Sequence, residues 1–144
     1  MSKQAIFVVD DEPLITRLAQ INLERAGYSV QMAHHGIEAL EGLRSMEVKP
    51  NLILMDVMMP YMDGFELLQN LQADPELRDI PVIIMTARSR DEDILIGQEL
   101  GAKRYLTKPI NPTELIHLVG EVIQQAATKA SASEVPTDRV SEMD

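Results

Sequence analysis

Hydrophobic positions along this chain alternate between short unbroken runs and residues spaced three or four apart. Ala5–Val9, Leu52–Met55 and Val82–Met85 are wholly apolar, the pattern of strands covered on both faces. Tyr28–Ala33 alternates instead, with Tyr28, Val30 and Met32 on one side, as a half-exposed edge strand does. Arg104–Leu106 predicts a short fifth strand. Leu14, Leu18 and Ile21 recur at helical spacing from Pro13 to about Ala26, and Gly27 supplies the stop. A second helix is predicted from Gly36 to about Met46, with Ile37, Leu40 and Leu43 on one side. A third runs from about Gly64 to Gln72 and carries Phe65, Leu68 and Leu71. Ser89 is placed to cap a fourth, whose first turn, Asp91-Glu92-Asp93, puts acids where the helix dipole favours them. Gly101 ends that helix, and Pro112 opens a last one with Leu115, Leu118, Val119 and Val122 inward.

Periodicity stops near Thr128, where Ser, Ala, Thr and Glu take over. Residues 1–127 are therefore expected to form one domain and residues 128–144 a disordered tail. Strand–helix alternation predicts an α/β fold, a parallel sheet with helices on both faces. Burial orders the strands: the wholly apolar first, third and fourth belong in the middle, the second and fifth at the edges. The order 2-1-3-4-5 satisfies this, the flavodoxin-like (βα)5 doubly wound sheet, with its switch point between strands one and three.

Such sheets bind ligands beyond the carboxyl ends of their strands, so the residue that ends each run matters. Asp10 and Asp11 follow strand one, Asp56 strand three, Thr86 strand four, and Thr107-Lys108-Pro109 strand five. Carboxylates, a hydroxyl and an ammonium thus converge on one rim. Clustered carboxylates repel one another by on the order of several kcal/mol without a counter-ion. Oxygen donors with no His or Cys suit a hard divalent ion that keeps some waters, as Mg2+ does. A carboxylate-held Mg2+ is a platform for phosphoryl groups. Thr86 can donate to a phosphoryl oxygen and Lys108 can neutralise it. Asp56, in the middle, is placed as a nucleophile that becomes an aspartyl phosphate.

Each piece has a plainer reading. Asp10 or Asp11, just before Pro13, reads equally well as a helix N-cap with Pro in the first turn. Asp63-Gly64 is a turn and cap, Thr86 alone a loop hydroxyl, Lys108-Pro109 alone a solvated lysine before a turn. His34, His35 and His117 read as surface or packing residues. The plain readings fail jointly, because independent accidents would have to share one rim.

Composition narrows the function further. At 144 residues the chain can bury a core without staples. A net charge of −10, with no basic cluster beyond Lys103-Arg104 and Lys108, argues against direct nucleic-acid binding. The absence of cysteine excludes disulfides and thiolate metal sites. No run matches a signal peptide or a membrane span, so membrane insertion is not expected and a cytoplasmic location is.

On these motifs the chain resembles the receiver domain of two-component response regulators, from roughly Gln4 to Gln125. The family pattern is an acidic pair after strand one, a phosphoacceptor Asp after strand three, Thr or Ser after strand four, an aromatic in strand five and Lys-Pro after it. Here these are Asp10-Asp11, Asp56 in LILMDVMMPYMDG, Thr86-Ala87, Tyr105 and Lys108-Pro109. The resemblance implies that Asp56 takes its phosphoryl group from the phosphohistidine of a sensor histidine kinase. It implies Mg2+ bound by Asp11, Asp56 and the Met58 backbone carbonyl, with Asp10 acting largely through water, and a cis bond before Pro109. It also implies a switch. Thr86 swings toward the acyl phosphate, Tyr105 turns into the space it leaves, and the surface of the fourth helix, fifth strand and fifth helix changes for a protein partner. Met58 and Arg88, two positions after Asp56 and Thr86, set the lifetime of the phosphoryl group in this family. An apolar Met58 cannot orient an attacking water, so slow self-dephosphorylation is expected; with self-phosphorylation this is the only chemistry expected, and no enzyme activity on a separate substrate. Gly97, inside the fourth helix, costs roughly 1 kcal/mol relative to Ala and predicts a soft, easily reshaped helix.

Rival functions fit less well. A haloacid-dehalogenase-like, Mg2+-dependent aspartyl-phosphate phosphatase needs D-x-D after its first strand, where this chain has Asp10-Asp11-Glu12. A flavodoxin needs a Ser/Thr/Gly-rich phosphate loop there. A receiver that only scaffolds would have lost a pocket residue. For output the sequence leaves three routes: a stand-alone regulator of a protein target, a relay to a histidine phosphotransfer protein, or the receiver fragment of a larger regulator.

Overall fold

In the computed structural model, which describes residues 3–133, every predicted strand forms. These are β1 (Ala5–Val9), β2 (Ser29–Ala33), β3 (Leu52–Met55), β4 (Val82–Thr86) and β5 (Arg104–Thr107). All pair in parallel, in the order β2-β1-β3-β4-β5, so the flavodoxin-like topology read from burial is the one observed. Alternating with them are α1 (Pro13–Arg25), α2 (Gly36–Ser45), α3 (Gly64–Ala73), α4 (Asp91–Glu99) and α5 (Pro112–Ser133).

The period-two alternation of strand side chains divides the interior into two cores. Phe7, Val9, Ile53, Met55 and Ile84 pack with Leu40 and Leu43 of α2 and Leu67, Leu68 and Leu71 of α3. Ile6, Val8, Leu54, Ile83 and Met85 pack on the other side with Leu23 of α1 and Leu115, Val119 and Val122 of α5. Each such side chain contributes about 1.5–3 kcal/mol by leaving water. With both faces apolar, hydrophobic alternation cannot set the register of the central strands; the polar residues that end them can. Val9 is level with Met55, and Met55 with Ile84, so Asp10 and Asp56 emerge side by side.

Four local expectations are corrected. Leu14 and Leu18 are 69% and 49% exposed, and α1 instead buries Thr16, Ala19 and Leu23. The small residues let α1 approach the sheet, a signal that a search for large side chains passes over. In the same way α2 buries Gly36, Ala39, Leu40 and Leu43 and leaves Ile37 exposed. Ser89 is not the cap of α4: the N-cap is Arg90, with no side-chain cap bond. Residues 128–133 are helical, as the end of α5, rather than the start of a disordered tail. The remainder of that expected tail lies outside the described residues.

Other readings hold. Asp63 caps α3 through a reciprocal capping box with Glu66. His35 caps α2 by accepting from the Glu38 N–H, and His34 and His117 are exposed. The Lys108–Pro109 bond is cis.

Candidate functional site

The site forms where β1, β3, β4 and β5 end. Asp10, Asp56 and Thr86 are buried at 0%, 3% and 0% exposure, unusual for residues of their type. The loop after β5 carries Lys108 back over them. Its ammonium donates to Asp10 Oδ2 at 2.7 Å, to Asp56 Oδ2 at 2.8 Å and to Glu12 Oε1 at 3.2 Å. The second oxygens are fixed by backbone. Asp56 Oδ1 accepts from the Met58 N–H at 3.0 Å, and Asp10 Oδ1 from the Glu12 N–H at 2.9 Å. Thr86 Oγ1 accepts from the Arg88 N–H at 3.3 Å. Gly64 is required beside this cluster, because a Cβ there would stand 2.4 Å from the Asp56 carbonyl oxygen.

Carboxylate oxygens of Asp10, Asp11, Glu12 and Asp56 lie within 4.8 Å of one another. One ammonium therefore faces four carboxylates. Burial pushes the Asp10 carboxyl above its ordinary range, and the Lys108 hydrogen bond and the Glu12 N–H only partly offset this. For Lys108 burial works against the charge, yet its hydrogen bonds to Asp10 and Asp56 prevail and hold its pKa well above that of an ordinary lysine. The excess negative charge and the all-oxygen donor set fit a hard divalent cation.

Of the residues that sequence reasoning brought together, Asp10, Asp11 and Asp56 cluster, Lys108 bonds to Asp10 and Asp56, and Thr86 ends the neighbouring strand β4. Asp10 and Asp11 do not serve as the α1 N-cap, a position held by Glu12 without a side-chain bond. Two residues were missed. Glu12 joins the cluster and touches Lys108; its signal was its place directly after Asp10-Asp11. Asp93, in the first turn of α4, is 1% exposed and pairs with Arg88 at 2.9 Å; nothing in the sequence separates it from Asp91 and Glu92. Tyr105 turns its hydroxyl onto the Arg88 carbonyl at 2.5 Å, and burial first, then nearby Asp93, raises its pKa. Gly97 lets α4 lie against this ring: a Cβ there would meet Ile84 Cδ1 at 2.9 Å and the Tyr105 ring at 3.3 Å.

A doubly wound parallel sheet with a lysine-bridged acid cluster at its switch point defines a class of α/β proteins built to hold charged ligands at strand ends. The comparison with known families makes this specific: the response regulator receiver domain matches residues 6–120, and the chain belongs to that family, the receivers of two-component signalling. It is 39% identical over 135 residues to the alkaline phosphatase synthesis transcriptional regulatory protein PhoP of Bacillus subtilis, covering 94% of this chain and 55% of that protein. The chain spans about half the length of the curated relatives it matches. A CheY-like receiver from Methanospirillum hungatei superposes with a TM-score of 0.82 at 29% identity, covering 89% of this chain and 99% of that one. The phosphorylated cyanobacterial phytochrome response regulator RcpA superposes with a TM-score of 0.73 at 30% identity, covering 84% and 91%. Among the described residues, no helix is long and apolar enough to cross a membrane.

Proposed function

We propose that this receiver accepts a phosphoryl group on Asp56 from the phosphohistidine of a sensor histidine kinase. One observation carries the reading: Asp56 is buried within an acid cluster, and its outer oxygen is bonded to Lys108 at 2.8 Å. The carboxylate attacks phosphorus, a P–O bond forms as the P–N bond breaks, and the imidazole leaves with the bonding pair. The Met58 N–H holds Asp56 Oδ1 and so orients the nucleophile, while Lys108 stands beside Oδ2 to meet the incoming charge. Mg2+ would be held by Asp11, Asp56 and the Met58 carbonyl, with Asp10 acting through water, and when bound it would neutralise the phosphoryl oxygens. Phosphorylation would turn Thr86 toward the new group and release Arg88 and Tyr105. That alters the face formed by α4, β5 and α5, which is offered to a downstream protein target.

The chain acts on itself, by self-phosphorylation and slow self-dephosphorylation, rather than on a separate substrate. A second reading has its own support. PhoP is a transcriptional regulator and extends well beyond the matched region, so this receiver would be the input part of a longer regulator. A relay to a histidine phosphotransfer protein is the remaining route.

Acetyl phosphate with Mg2+ tests the first step. Intact-mass measurement should show one added phosphoryl group on the wild-type protein and none on Asp56→Asn or in EDTA. Equal labelling of Asp56→Asn would overturn the assignment.

A further inference from the structure

We infer that Arg88 is a second cationic ligand for the phosphoryl group, held in reserve by Asp93; this rests on the proposed role of Asp56. The Arg88 backbone is fastened twice, its N–H to Thr86 Oγ1 at 3.3 Å and its carbonyl to the Tyr105 hydroxyl at 2.5 Å. The side chain is held by less. Nε donates to Asp93 Oδ1 at 2.9 Å, and the guanidinium carbon sits 5.7 Å from the centroid of the Phe65 ring. Among the described residues the two terminal nitrogens bond to no protein group, and the side chain is 39% exposed. Phe65 follows Gly64, whose backbone lies close against that of Asp56, so the ring beneath the guanidinium is carried by the turn of α3 that borders Asp56.

Asp93 supplies the other half of the argument. Its side chain is 1% exposed, and its Oδ2 has no hydrogen-bond partner among the described residues. Arg90, 72% exposed, approaches that oxygen with Nε at 3.5 Å. A buried carboxylate left without charge partners is costly, so Asp93 draws Arg88 toward α4. It does so through one hydrogen bond rather than a bidentate fork. Arg88 is parked there, not locked.

A phosphoryl group on Asp56 changes the competition. It brings up to about two negative charges and new acceptor oxygens. Lys108 is already divided among Asp10, Glu12 and Asp56. A planar guanidinium with free terminal N–H groups matches phosphoryl oxygens better than a second ammonium would. As Thr86 turns to the same group, it gives up the Arg88 N–H, which loosens the segment in the same event. Asp93 never touches the phosphoryl group; it is a positioning residue that sets how much of Arg88 is available.

Beryllofluoride with Mg2+ is the probe, titrated calorimetrically into wild type, Arg88→Met, Asp93→Asn and the double variant. Arg88→Met should weaken binding about fivefold, the loss of one charge-assisted contact at a half-exposed position. Asp93→Asn should tighten it by about threefold, because the competing ion pair is gone. In the Arg88→Met background Asp93→Asn should change nothing, since Asp93 acts only through Arg88. Weakening by Asp93→Asn in both backgrounds would mean a merely structural role and would overturn the inference. Should Asp93→Asn fail to fold, Arg88→Met decides alone, and unchanged affinity overturns the inference. Absence of binding by wild type overturns the phosphoacceptor reading itself, and the inference with it; binding by wild type with no effect of Arg88→Met overturns the inference alone.

Discussion

Lys108 bonds to Asp10, Glu12 and Asp56 but to no oxygen of Asp11 among the described residues. Asp11 is therefore the cluster carboxylate with repulsion and no compensating ammonium bond. Replacing it by Asn should raise the melting temperature measured in EDTA by about 2 °C and weaken Mg2+ binding in calorimetry. A melting temperature that falls or stays put would show that the acids do not strain the metal-free fold. Met58 is 55% exposed and apolar, so it cannot align a water against the acyl phosphate. Its replacement by Glu should shorten the half-life of the acetyl-phosphate-loaded protein by at least about tenfold, a modest share of what a positioned base supplies. An unchanged half-life would place control of hydrolysis elsewhere on the rim.

Among the elements, α4 departs furthest from its reading in the sequence. Helix propensity says that Gly97→Ala should gain roughly 1 kcal/mol. The structure opposes this, because the new methyl would stand 2.9 Å from Ile84 Cδ1, whose residue is fully buried, and 3.3 Å from Tyr105. Overpacking costs about 1–3 kcal/mol, so the steric effect wins and Gly97→Ala should lose about 1 kcal/mol in urea denaturation. A gain would restore the soft-helix interpretation. The buried Asp93 has the same origin as the required glycine: α4 lies close to the sheet, and whatever its inner face carries is enclosed. Propensity describes an isolated helix, and here the neighbouring strands decide.

Across the whole molecule, the pH dependence of stability should fail on the alkaline side. Lys108 has a folded pKa above 10.5, so its contribution is fully present below that value and is lost as pH rises through the higher, folded one. Tyr105 acts in the same direction from 10.0 upward, its neutral form favoured first by burial and then by Asp93. The melting temperature should therefore drop above about pH 10. A Lys108→Met, Tyr105→Phe double variant should show a shallower drop. An equally steep drop in that variant would assign the limb to other groups.

By itself the sequence determined the strand count, the order of the sheet and the ring of Asp10, Asp11, Asp56, Thr86 and Lys108. Those follow from one-dimensional patterns: wholly apolar runs must be covered on both faces, and the polar residue that ends each run must emerge at the rim. Tertiary structure alone decided that Thr16 and Ala19 rather than Leu14 and Leu18 face the core of α1, and that Asp93 is buried while Asp91 and Glu92 are not. It also decided that Arg88 leans on Asp93. Each depends on the distance between a helix and its neighbours, which is set by the small residues at the contact. Spacing along a chain records which residues share a face, but not how closely that face is approached.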